Sequence, residues 1–146
     1  MTASVRMDNV AVVVDDLAMA KVFFGALGLE LEGEATVEGN VVDRVVGLDG
    51  VRSAIAMMRT PDGHGRIELT EYLSPPAVDG GSTPVNVLGG HRVMFAVDDI
   101  DVALDRLRPH GAELIGDVVR YGNHQLCYVR GPAGIAVALA AATGGE

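Results

Sequence analysis

The hydrophobic pattern of the chain repeats. Val10-Ala11-Val12-Val13-Val14 is a β-branched run that stops at Asp15-Asp16-Leu17, and Val93-Met94-Phe95-Ala96-Val97 stops in the same way at Asp98-Asp99-Ile100. An aspartate accepts hydrogen bonds from the unpaired N–H groups of a helix's first turn, so strand should pass to helix at each Asp pair. Apolar residues then recur at spacings of three and four: Leu17, Ala20, Phe24 and Leu27 in the first copy, with Ile100, Ala103, Leu104 and Leu107 following much the same rhythm in the second. Each stretch predicts a helix that buries one face. Gly28 stops the first helix, and Pro109 with Gly111 stops the second.

Short apolar runs separated by turn residues follow each helix. In the first half, after an apolar segment from Leu29 to Leu31, they are Val41 to Val46, Ser53 to Arg59 and Arg66 to Glu71, with turns at Asp49-Gly50 and Pro61-Asp62-Gly63. In the second half they are Ala112 to Val119, Gln125 to Arg130 and Ile135 to Ala140, with a turn at Gly131-Pro132-Ala133-Gly134. Each half reads β-α-β-β-β. The 146-residue chain is therefore expected to be one α+β domain with a first module at 5–73, a linker rich in Pro, Gly and Ser at 74–90, and a second module at 91–141. A single helix covers only one face of a sheet, which leaves the other face to pack or to bind. The architecture expected is two tandem βαβββ modules forming a paired, cupped mixed sheet with a central cavity, a concavity of the kind small molecules occupy.

Composition narrows the partners. Eleven basic against twenty acidic residues give a net charge of −9, which repels phosphate backbones and anionic lipid, so neither nucleic acid nor a membrane surface is an expected partner. The first ten residues carry no apolar signal core, and the apolar runs fall short of the ~18–20 residues that cross a bilayer. A single cysteine, Cys127, fits a reducing compartment, and a cytoplasmic protein is expected, with Cys127 as a buried small hydrophobe. Aromatic residues are 4% of the chain and Trp is absent, so a bound molecule must be gripped by aliphatic, Met and polar contacts. Two modules with open sheet edges make a homodimer the expected assembly.

The run Asp8-Asn9-Val10 to Asp16-Leu17, the helix end Phe23-Phe24 to Leu27-Gly28-Leu29, the segment Arg66-Ile67-Glu68-Leu69, and Tyr128-Val129-Arg130-Gly131-Pro132-Ala133-Gly134 together resemble the vicinal oxygen chelate superfamily. That superfamily includes glyoxalase I, methylmalonyl-CoA epimerase, extradiol dioxygenases, fosfomycin-resistance transferases and bleomycin-binding proteins. The resemblance spans nearly the whole chain and implies that a metal, where one is used, takes ligands from the first and last strands of each module. On this chain the four positions are Asn9, Glu68, Arg92 and Ala138, and only Glu68 keeps a good ligand. A guanidinium has no electron pair to give a cation, so Arg92 argues against metal, and no cofactor is expected. Arg92 is instead expected to supply the positive charge that a metal would have placed beside Glu68. His91 lies one residue out of register, which on a strand turns it to the other face.

The remaining candidates have two readings each. His124, just before a strand, is either a base at the mouth of a cavity or a solvent-facing loop residue. Tyr121 and Tyr128 either cap a ligand or fill the core. Met94 shares a face with Arg92, whereas only one of Met57 and Met58 points inward. Two functions follow from the resemblance. One is metal-free binding of a small organic ligand, sequestering a bulky natural product or antibiotic through Asn9, Met57, Glu68, Arg92, Met94, Tyr121, His124 and Tyr128. The other is a glyoxalase-like lyase, isomerase or epimerase that uses a divalent metal, or Glu68 or His124 as base.

Overall fold

The structure, a computed structural model, describes residues 4–81 and 83–143; Met1–Ala3, Gly144–Glu146 and one residue of the 74–90 linker, Ser82, lie outside it. The chain forms two compact units that divide between Ala77 and Val78. In the first unit, strand β1 (Val10–Val13) leads into helix α1 (Leu17–Leu27), strand β2 (Glu30–Glu38), a short helix α2 (Asn40–Val46), and strands β3 (Arg52–Arg59) and β4 (Arg66–Ser74). The four strands form one mixed sheet in the order β1-β4-β3-β2, with β1 parallel to β4 and the other pairs antiparallel.

The second unit repeats this plan. Strand β5 (Arg92–Ala96), helix α3 (Ile100–Leu107), a single 3-10 turn at Arg108–His110, and strands β6 (Glu113–Leu114), β7 (Val119–Tyr121), β8 (His124–Arg130) and β9 (Ala136–Ala142) build a five-stranded sheet in the order β5-β9-β8-β6, with β7 also paired to β8. Strand β5 runs parallel to β9, as β1 does to β4. Two mixed sheets with few helices make the fold α+β, as the pattern predicts.

Both long helices start where the Asp pairs place them. The Asp16 carboxylate accepts from Met19 N at 3.1 Å, and the Asp99 carboxylate accepts from Val102 N at 3.1 Å. In the first unit, Glu71 on β4 adds a second acceptor for the helix start, taking the Leu17 N–H at 2.7 Å. Helix α1 ends at Gly28, whose φ of 124° suits a residue without Cβ. Its buried face is Ala20, Phe23, Phe24 and Leu27, with the two rings edge to face, and Ile67, Leu69, Ala56, Met58, Val12 and Val14 are the buried residues of the adjoining strands and of the β1 exit. The second unit buries Ile100, Ala103, Leu104 and Leu107 of α3, together with Cys127, Val129, Val137, Leu139 and Ala141 of β8 and β9.

Two sequence expectations are corrected. Val41–Val46 is helix, not strand. The valines at 41, 42, 45 and 46 recur at four residues as well as in pairs, and Gly39 and Gly47 bracket them. The Asp43 carboxylate on this helix accepts from Gly50 N at 3.0 Å and Val51 N at 2.8 Å, tying α2 to the entry of β3. Ala112–Val119 is also not one strand: β6 and β7 pair with opposite ends of β8, and the chain leaves the ladder between Ile115 and Val119, passing Cys127 without a partner residue. Strand β2 runs further than its apolar start suggests, because its acidic stretch to Glu38 pairs with all of β3. No helix among the described residues is long and apolar enough to cross a membrane.

Two stability predictions follow from this local chemistry. Asp43→Ala strands two N–H groups at the start of β3 and is expected to lower unfolding stability by about 1–2 kcal/mol in urea melts. Ala133 has φ 56° in the turn before β9, a left-handed conformation that disfavours a Cβ. Ala133→Gly is expected to raise stability by about 0.5–1 kcal/mol in the same assay, the relief of strain outweighing the extra chain entropy.

Candidate functional site

Strand alternation decides which side chains share a face. In the first sheet Ile67 and Leu69 are buried with α1, so Arg66, Glu68 and Thr70 stand on the opposite face. Glu68 lies between Ala11 on β1 and Met57 on β3, its Cα partners on either side. Its carboxylate accepts the Thr70 hydroxyl at 2.9 Å. Asn9 stands one residue before β1, two before Ala11, and donates its amide to Asp8 at 2.8 Å.

The first unit therefore gathers Asn9, Met57 and Glu68 along one sheet face. It also brings in residues that the sequence reading did not single out. Arg66 donates twice to the Glu32 carboxylate, at 2.7 and 3.0 Å, and once to Asp8 at 3.0 Å. These hydrogen bonds and charges, Glu32 foremost, raise the Arg66 pKa further above its ordinary value. Asn9, Asp8, Arg66 and Glu32 thus form a continuous polar chain at the end of the row that carries Glu68. The signal was weak in sequence because Glu32 sits in a β-bulge between Leu31 and Gly33, where simple alternation fails.

In the second sheet, the face opposite α3 carries Arg92 and Met94 from β5, Ala136, Ala138 and Ala140 from β9, and Leu126, Tyr128 and Arg130 from β8. Met94, Ala138 and Tyr128 lie in one cross-strand row, the counterpart of Ala11, Glu68 and Met57 in the first sheet. Ala138 thus stands where the first unit has its carboxylate. Arg92 donates to the Tyr128 hydroxyl, and its guanidinium carbon lies 5.3 Å from the centre of the Tyr128 ring. Met94 is 47% exposed, whereas Ala136 and Ala138 beside it are buried.

Tyr121 and His124 are Cα partners at the hairpin tip between β7 and β8. Both are exposed, Tyr121 at 77%. His124 shares the face of Tyr128 but stands about 13 Å along the strand from it, at the ordinary rise per residue. The structure thus clusters Arg92, Met94 and Tyr128 and sets Tyr121 and His124 apart from them. Glu68 and Arg92 belong to different units, and each has a hydrogen-bond partner inside its own.

A metal ion needs several donors around one point. The four positions that the family resemblance assigns to metal ligands hold an amide, a carboxylate, a guanidinium and a methyl group, which do not make a cation site. No cluster of three or more His, Cys, Asp or Glu side chains fit to hold a metal occurs among the described residues. An open cleft of about 440 Å³ in the first unit lies away from these rows, between α2 and the ends of β2 and β3, where Asp43 is already engaged with the backbone.

Comparison with known proteins agrees with the fold. Residues 6–139 match the model of the Glyoxalase/Bleomycin resistance protein/Dioxygenase superfamily, and the chain belongs to that superfamily. A glyoxalase family protein from Bacillus cereus is 52% identical, over 98% of this chain and 97% of that one, with a TM-score of 0.92. A glyoxylase/bleomycin resistance protein/dioxygenase domain from Frankia sp. EAN1pec shares the fold at 17% identity, 99% and 96% coverage and a TM-score of 0.68. TnmS3, an antibiotic binding protein from Streptomyces sp. CB03234, does so at 16% identity, 97% and 99% coverage and a TM-score of 0.61. No curated protein matches the sequence.

Cys127 is 3% exposed, as expected of a small core residue, and burial pushes its thiol pKa up. A raised pKa keeps the sulfur as unreactive thiol through neutral pH. The native protein at pH 8 is therefore expected to resist a thiol-specific disulfide reagent for hours and to react within minutes in 6 M guanidinium. Rapid native reaction would place the sulfur outside the core.

Proposed function

We propose that this protein binds a bulky, largely apolar organic molecule without a metal ion, sequestering a natural product or antibiotic, and that it does so as a cytoplasmic homodimer. The observation that carries the proposal is the pair of equivalent rows on the helix-free faces. Ala11, Glu68 and Met57 in one sheet and, on either side of the buried Ala138, Met94 and Tyr128 in the other offer adaptable apolar contacts, with a single carboxylate where a metal site needs several donors. Asn9 and Arg92 add polar contacts at the same ends of these faces, and Tyr121 and His124 offer them at the β7–β8 hairpin tip. The antibiotic-binding role of TnmS3 shows what this fold can host and supports the choice of ligand class.

A second reading rests on Glu68. A half-buried carboxylate fixed by the Thr70 hydroxyl between Ala11 and Met57 is placed to take a proton from a bound carbon acid, which would make the protein an isomerase or lyase.

Thermal melts against a natural-product library, in chelator and in added divalent ions, separate these readings. Metal content and chelator are expected to leave the melting temperature within about 1 °C. A ligand present at a hundred times its Kd is expected to raise it by about 5–10 °C, from about 2.7 kcal/mol of linkage. Stoichiometric metal in the purified protein overturns the proposal. Turnover of the ligand that Glu68→Gln abolishes establishes the second reading in its place, and light scattering tests the dimer.

A further inference from the structure

Arg92 is a cation with donors to spare. Its guanidinium carries five N–H bonds, and the structure gives one partner, the Tyr128 hydroxyl. Among the described residues of the second unit, Arg108 pairs with Asp105. Among the described residues of that unit, no carboxylate lies within ion-pair distance of Arg92. Among the described residues Arg106, Arg120 and Arg130 of this unit also lack an ion pair, and Arg92 differs from them in lying over a tyrosine ring.

A second cation shares its face. Arg92 and Arg130 are the two Cα partners of Ala136, on β5 and β8, so they stand about 10 Å apart across two strand spacings. Arg130 is fixed by its Nη1 donating to Gly134 O at 2.9 Å and its Nη2 to Thr83 O at 2.7 Å. Neutral carbonyls leave its positive charge uncompensated. Glu113 stands opposite Arg130 on β6 and makes no ion pair with it. Between the two arginines, β9 carries alanines at 136, 138 and 140, of which Ala136 and Ala138 are buried, and Met94 and Leu126 flank them with apolar surface.

We infer that the face of the second sheet opposite α3 anchors the carboxylate of an organic acid. Arg92 takes the two oxygens through its planar fork, a geometry that matches a carboxylate and that lysine does not reproduce. Tyr128 is a positioning residue: its ring lies beneath the guanidinium and its hydroxyl holds one N–H, so the fork is oriented before the ligand arrives. Arg130 contributes charge without contact. The apolar body of the acid lies against the exposed side chain of Met94. This inference rests on the binding function proposed above and adds the chemical class of its ligand.

The test compares acids with their neutral isosteres on the full chain. Naphthalene-2-carboxylate and decanoate are titrated by NMR beside their primary amides, reading the Met94 methyl and the Tyr128 ring. The acids are expected to bind at least tenfold more tightly than the amides, with the preference shrinking as salt is raised. Arg92→Met is expected to weaken the acids at least tenfold and the amides by about threefold or less, so that the two converge, and unchanged dispersion of the NMR spectrum reports that the fold is intact. Arg92→Lys should keep a part of the preference, and Tyr128→Phe should reduce it without abolishing amide binding. Equal affinity of acids and amides, or an acid preference that survives Arg92→Met, overturns the inference and leaves the binding function standing. No perturbation of this face by any of the four compounds overturns both.

Discussion

One helix per sheet is the constraint on which the rest of this molecule depends. In each βαβββ unit the strand residues alternate between two faces, and a single amphipathic helix exists to bury one of them. Phe23, Phe24 and Leu27 do this in the first unit, and Ile100, Leu104 and Leu107 in the second. The helix side of each sheet is mostly apolar and holds most of the buried residues. The opposite face has no helix to satisfy, so polar groups such as Glu68 and Arg92 can stand there without the cost of burial in a dry core.

The repeat makes the two units comparable residue by residue, and the comparison shows where they have parted. Both keep the Asp cap, the helix and the parallel pairing of first and last strands. On the helix-free face they differ in sign. The first unit has Glu68 with its hydroxyl partner, and an Arg66 already neutralised by Glu32 and Asp8. The second replaces the carboxylate with Ala138 and presents Arg92 on a tyrosine ring.

Much was legible in the chain before any coordinates. The bounds of α1 at Leu17 and Leu27, the two Asp caps and the shared face of Arg92 and Met94 all follow from periodicity, capping chemistry and register. The misreadings have physical causes. The Val41–Val46 run satisfies a strand's preference for β-branched residues and a helix's four-residue spacing at once, and only the Asp43 contacts with Gly50 and Val51 favour the helix. Polar β2 was under-read because its extent is set by pairing with β3 and not by its own composition.

The amino-acid sequence by itself determined the repeat, the helix starts, the buried faces and the absence of a matching metal-ligand set, because each is written in local spacing and residue chemistry. The tertiary structure alone decided the partners: Arg66 with Glu32 across a bulge, Glu68 with Thr70, Arg92 on Tyr128, and the distance of His124 from that cluster. Those contacts join residues far apart in the chain or hinge on how a side chain bends within a row. Sequence spacing names the face on which a side chain stands, whereas a hydrogen bond depends on where its end reaches.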